Sequence, residues 1–303
     1  MEEAEIHRFR THAAGAVALQ HEKEVGVLSP SQRSTGRRLL PRRLQRPIRS
    51  RPVGRTRVHP GSSPDGAAQT SAMTTPLDGA SEGRVAIVTG GSRGVGRATI
   101  ARLAARGYAV VVNYLHDQHG AESTVETVLA DRGAAVAVRA DVTDDLDVQR
   151  LFAETVVAFG RVDAVVHAVE GRIFPAPVID VDLDEFDALC RINTRATLIV
   201  NREAARTVRN GGAIVNLASS AAGSAVSRHG AFAVSKAAAD VLTRVLAIEL
   251  RDRDITVNAV SVDVDEPCAP NRIADIVVHL LSARGHGLTG RVIRLDAHLP
   301  MGR

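Results

Sequence analysis

The feature that most constrains this 303-residue chain is a change of hydrophobic period that sets in at residue 84. Arg84–Thr89 (RVAIVT) is a short run rich in β-branched residues and closed by glycines. From Gly94 to Arg106, Val95, Ile100, Leu103 and Ala104 then recur at helical spacing. Strand, glycine turn and helix follow one another. The alternation continues, predicting strands at 109–113, 135–140, 162–167, 213–217, 256–260 and 291–295. Helices are predicted at 121–132, 145–159, 184–209, 231–251 and 273–283. Strands separated by helices of this length require right-handed crossovers, and hence a parallel sheet covered on both faces. The expected fold is therefore α/β: a single doubly wound Rossmann-type domain with about seven parallel strands, spanning residues 81–303.

Composition narrows the function classes. Hydrophobic residues make up 45% and charged residues 24%, a globular mixture, and no apolar run approaches the ~18 residues of a membrane span. Cys190 and Cys268 have neither disulfide-framework nor zinc spacing, which points to a reducing, cytoplasmic setting and no metal. Aromatic residues, at 3%, are too sparse for a single-strand nucleic-acid platform. The net charge of +4 is unevenly spread: residues 1–80 carry 12 Arg and 1 Lys against 7 acids, while residues 81–303 are slightly acidic. Residues 31–60 hold ten Arg, no acid and four prolines, without helical or strand period, and are expected to be disordered. Three readings stand for residues 1–80: a solvated extension, translated sequence upstream of a true start at Met73, or a nucleic-acid-binding arm, the weakest of the three. The early acids Glu2, Glu3 and Glu5 argue against a transit peptide.

The first turn reads Thr89-Gly90-Gly91-Ser92-Arg93-Gly94-Val95-Gly96. Gly90 permits a tight exit from the strand, Gly94 admits phosphate oxygens to the backbone N–H groups, and Gly96 lets the helix pack close to the sheet. The helix N-terminus then faces a pyrophosphate.

From Arg84 to about Leu295 the chain resembles the short-chain dehydrogenase/reductase family. The likeness rests on TGGSRGVG at 89–96, ADV at 140–142, RIN at 191–193, GGAIVNLASS at 211–220, SKAAAD at 235–240 and ITVNAV at 255–260, in matching order and spacing. The resemblance implies a nicotinamide dinucleotide held by Gly90, Ser92, Arg93, Gly94, Val95 and Gly96. Asp141 and Val142 would lie at the adenine, Ala168 beside the cofactor, and Lys236 on the nicotinamide ribose. A local reading of Asp141, that it simply ends its strand, stands beside this one. Arg93 in the turn, and Asn113 where an NAD-preferring relative would present a carboxylate, favour NADP(H) over NAD(H).

The same resemblance implies a catalytic set of Ser219, with Ser220 as the alternative one residue on, Asn193 organising a water, and Lys236. The Tyr position is Phe232, thirteen residues after Ser219, and phenylalanine has no proton to give. His229 is the nearby titratable substitute. Lys236 has independent support, because the chain contains 36 Arg and only two Lys. Two further motifs depart from the family pattern. His167-Ala168-Val169-Glu170 stands where Asn-Asn-Ala-Gly is usual, and Val262-Asp263, followed by more acid, stands where Pro-Gly is usual. The short path from Ser261 to Pro270 leaves no room for a substrate lid. His116 and His119 fall in a loop with weak metal character, and Asp182, Asp184, Glu185 and Asp187 suit a helix start.

The expected function is an NADP(H)-dependent oxidoreductase acting on a small carbonyl or alcohol substrate with impaired turnover. The alternative is a non-catalytic dinucleotide sensor or partner subunit. In either case the long helices 184–209 and 231–251 are the surfaces through which relatives form dimers and tetramers. Neither membrane nor nucleic acid is an expected partner.

Overall fold

The computed structural model describes residues 83–219, 221, 226–262, 270–282 and 287–295. The 1–80 extension, Met73, Ser220, the acidic run 263–266 and Cys268 lie outside the described residues. The chain order is β1 (Val85–Thr89), α1 (Gly94–Ala104), β2 (Ala109–Tyr114), α2 (Gln118–Ala130), β3 (Ala135–Arg139), α3 (Asp145–Phe159) and β4 (Ala164–His167). It continues with α4 (Leu183–Leu189), a π-helical turn (Cys190–Arg195), α5 (Ala196–Thr207), β5 (Ala213–Ser219), α6 (Gly230–Glu249), β6 (Thr256–Val262), α7 (Pro270–Leu281) and β7 (Val292–Arg294).

The seven strands form one sheet, ordered β3-β2-β1-β4-β5-β6-β7, and every pairing is parallel. All five residues of β1 and all seven of β5 are buried, which explains why these strands read as continuous apolar runs rather than alternating ones. Alternate residues feed opposite layers. Ala86, Val88, Val110 and Val112 pack with Ile100 and Leu103 of α1 and Val277 of α7, whereas Ile87, Val111 and Val165 pack with Phe152 of α3, Val200 of α5 and Leu246 of α6. The strand order reverses direction between β1 and β4. Their carboxyl ends therefore open a crevice at a topological switch point, lined by the turn after Thr89 and the segment after His167.

The expected single helix over 184–209 is instead three contiguous pieces. A π turn allows consecutive residues to reach one neighbour: Asn193 Nδ2 donates to Ser235 Oγ at 2.9 Å and Thr194 Oγ1 donates to the Ser235 carbonyl at 2.8 Å. In a regular α-helix adjacent residues diverge by about 100° and cannot do this. Strand β4 begins at Ala164 rather than 162, because Asp163 turns its carboxylate onto the Val85 N–H at 2.8 Å and onto Arg161. The short 3₁₀ segment Val178–Asp180 was not foreseen from sequence period.

Candidate active site

The glycine turn between β1 and α1 depends on glycine at several positions. Gly90 and Gly94 have φ of 67° and 56°, a region that side chains rarely occupy. A Cβ on Gly96 would lie 2.2 Å from the Gly90 carbonyl oxygen, so α1 can sit this close to the strand only with glycine there. A Cβ on Gly94, by contrast, would meet nothing within 4 Å, so the backbone faces open space. Asp117, Asp144 and Asp182 cap α2, α3 and α4 through their side chains, whereas Arg93 at the start of α1 makes no such bond. The first-turn N–H groups of α1 thus receive no cap from the Arg93 side chain and carry the positive end of the helix dipole. His229, at the start of α6, also makes no side-chain cap.

The remaining residues that the resemblance assigns to the adenosine end are placed differently from one another. Arg93 and Gly94 are exposed, Val95 is half-buried, and Ser92 is buried. Ser92 hydrogen-bonds Asp117, whose carboxyl is held below its usual range first by the Gly120 N–H, then by Ser92, with Arg93 and Arg97 adding to it. Asn113 is buried, and its amide donates to the Val138 and Ala140 carbonyls at 3.3 and 3.1 Å. That side chain joins β2 to β3 instead of facing the turn; its carbonyl receives the Gly91 N–H at 2.9 Å. Asp141 accepts the Thr143 N–H at 2.8 Å in a tight turn after β3, with Val142 buried beside it.

The opposite half of the crevice is densely tied. Asn193 Oδ1 accepts the Gly171 N–H at 2.9 Å while its Nδ2 donates to Ser235, whose hydroxyl donates to the Phe232 carbonyl at 2.8 Å. Ser219 Oγ accepts the Ala221 N–H at 3.3 Å. Phe232 is fully buried with Leu189 and Ala221, and Ile173 packs on the group. Lys236 is also fully buried. Its Nζ donates to the Leu217 carbonyl at 3.1 Å and lies 3.8 Å from Glu170, and desolvation pulls its pKa down against the opposing pull of Glu170 and Asp240.

Two residues given no individual role by sequence reasoning complete this half. His167 Nδ1 lies 2.9 Å from Thr89 Oγ1, which also receives the Ala168 N–H at 3.1 Å, so β1 and β4 are braced across the crevice. Burial pushes the imidazole down to about 3, with Lys236 adding to the effect, and its Nε2 has no partner among the described residues. Glu170 is the second, through its contact with Lys236. In sequence both stand only as departures from a motif; their partners lie 78 and 66 positions away. His229 sits on the loop before α6 with Nδ1 against the Ser227 carbonyl, and no described contact joins it to this cluster. Among the described residues no group of three His, Cys, Asp or Glu converges as a metal site, and no helix is long and apolar enough to cross a membrane.

Comparison with known proteins agrees with this architecture. A family model described as enoyl-(acyl carrier protein) reductase matches residues 90–264. Versicolorin reductase 1 of Aspergillus parasiticus is 42% identical over 181 residues, covering 59% of this chain and 69% of that protein. A dehydrogenase/reductase from Sinorhizobium meliloti superposes with a TM-score of 0.67 at 31% identity, over 71% of this chain and 94% of its own. A short-chain dehydrogenase from Burkholderia cenocepacia, solved in complex with NADP, superposes with a TM-score of 0.66 at 29% identity, over 72% and 98%. The parallel sheet, the glycine turn at its switch point and these matches together make the chain a member of the short-chain dehydrogenase/reductase family.

Proposed function

We propose that this chain is an NADP(H)-dependent oxidoreductase that interconverts a small carbonyl compound and its alcohol, with turnover slowed by the loss of the tyrosine hydroxyl at position 232. The observation that carries the reading is the cradle: Gly94 opens the backbone, α1 has no side-chain cap, and Arg93 places a cation beside it. Pyrophosphate would rest on the 90–96 backbone, Arg93 would meet the 2′-phosphate, Asp141 and Val142 would border the adenine, and Ala168 and Lys236 would border the nicotinamide ribose. Asn113 contributes by fixing β2 to β3. The bound dinucleotide supplies or accepts the hydride.

The chain's own residues orient the substrate. Ser219, whose Oγ accepts the Ala221 N–H, would donate its proton to the carbonyl oxygen. Asn193 braces the Gly171 segment against α6, a positioning role fixed by its two amide contacts. The 42%-identical relative is by name a reductase, and the structural neighbour bound to NADP supports the cofactor choice.

Self-association through α5 and α6 belongs to the same reading. Leu198, Val234, Val241, Val245 and Ile248 are exposed on those helices. Residues 81–303 carry the function in full on this reading, without residues 1–80.

The test is a fluorescence titration with NADPH and NADH, followed by a panel of ketones and aldehydes. NADPH is expected to bind more tightly than NADH and to be consumed slowly. Failure to bind either at millimolar concentration sinks the reading, and tight binding without consumption transfers it to a sensor.

A further inference from the structure

Resting on the oxidoreductase reading, the question left by Phe232 is which group protonates the substrate oxygen. Phe232 has no proton and is enclosed by apolar neighbours. Three titratable groups lie around Lys236: His167 at the end of β4, Glu170 on the segment after it, and Asp240 one turn along α6, itself flanked by Arg244 and by Arg294 of β7. His167 is neutral at physiological pH and has no extra proton to release. Asp240 has one buried carboxylate oxygen without a partner, a poor station for a group that must shed and regain a proton. Lys236 differs from both. Its ammonium has three donors, of which one meets the Leu217 carbonyl, while Glu170 at 3.8 Å is beyond hydrogen-bond reach. Two N–H groups therefore remain uncommitted among the described residues. Glu170 also spans two environments, its side chain 45% exposed while that of Lys236 is 3% exposed.

We propose that Lys236 is the proton donor to the substrate oxygen and that Glu170 is its positioning residue, holding the ammonium in place and charged and returning its proton from solvent. As the carbonyl carbon accepts the hydride of a reduced nicotinamide dinucleotide, which is thereby oxidised, the carbonyl oxygen takes a proton from Nζ. One N–H bond breaks and one O–H bond forms. The neutral amine left behind regains a proton from water across the Glu170 carboxyl, and the reverse path serves alcohol oxidation.

Lys23 and Lys236 are the only lysines, so a full chain labelled with ¹³C at the lysine ε-carbons shows two signals, and Lys23→Arg assigns them. Removing the Glu170 charge destabilises the ammonium, so Glu170→Gln is expected to move the Lys236 titration midpoint to lower pH. The alkaline limb of kcat should move down by the same amount, because the donor must be protonated, and kcat at neutral pH should fall about tenfold or more, within the range of general acid effects. In Phe232→Tyr the hydroxyl offers a second donor, and the Glu170→Gln penalty should shrink to less than threefold; that comparison needs the variant to fold, whereas the lysine titration does not involve it. An unmoved Lys236 midpoint overturns the proposal, as does a kcat limb that fails to follow it. Wild-type protein that binds NADPH but turns over no carbonyl overturns it too, leaving dinucleotide binding intact. Protein that binds no dinucleotide overturns the oxidoreductase reading itself.

Discussion

At the residue scale, the His167 imidazole makes folding sensitive to acid. The folded chain holds it neutral down to about pH 3, while the unfolded chain protonates it near the ordinary 6.5. The unfolded state therefore binds the extra proton between those values, so the stability the ring allows at pH 7 is lost as pH falls through that window, at up to about 1.4 kcal/mol per pH unit. Urea unfolding at pH 7 and pH 5 should show His167→Asn losing about 2 kcal/mol less than the wild type over this interval. Parallel losses in the two proteins would mean the ring is not buried and neutral. Arg93→Ala is expected to weaken NADPH about tenfold in a fluorescence titration and to leave NADH nearly unchanged, since only the former carries the 2′-phosphate. Much at this scale was legible: Gly94, Arg93 and Lys236 stand out by spacing, charge and the scarcity of lysine. The bracing by His167 was not, because its partner Thr89 lies 78 residues away and no local pattern joins them.

At the element scale, Gly94 and Gly96 separate binding from folding. Gly96→Ala drives a methyl into the Gly90 carbonyl, and helix α1 must lift from the sheet; a loss of about 2 kcal/mol or more is expected in thermal or urea unfolding. Gly94→Ala meets no atom. It pays only about 1–2 kcal/mol for its left-handed backbone, yet its methyl fills the cradle, so NADPH binding should be lost from a folded protein. Equal damage from both would contradict the cradle geometry. Most strands and helices were readable to within a few residues, because buried parallel strands and one-sided helices have distinct periods. The π turn at Cys190–Arg195 was not, since it exists to bring Asn193 and Thr194 together onto Ser235, a residue more than forty positions later.

For the whole molecule, alternating strands and helices joined by right-handed crossovers leave a parallel sheet covered on both faces, which is why the architecture was the most legible level. The arrangement around Lys236 was less so, because burial and ion pairing arise from segments that meet only in the folded sheet. If α5 and α6 form the self-association surface, Val241→Asp together with Ile248→Asp should reduce the sedimentation mass to that of one chain without altering NADPH binding. A protein begun at Met73 should bind NADPH as the full chain does; weakened binding would show that the preceding arginine-rich residues take part.

The solitary ε-amine of residues 81–303 sits wholly out of water, against the Leu217 carbonyl. An acylating reagent for primary amines can tag it only when its surroundings open. The rate at which the Lys236 peptide gains mass in such a reagent is thus a clock for breathing of the packing around it, readable without any substrate.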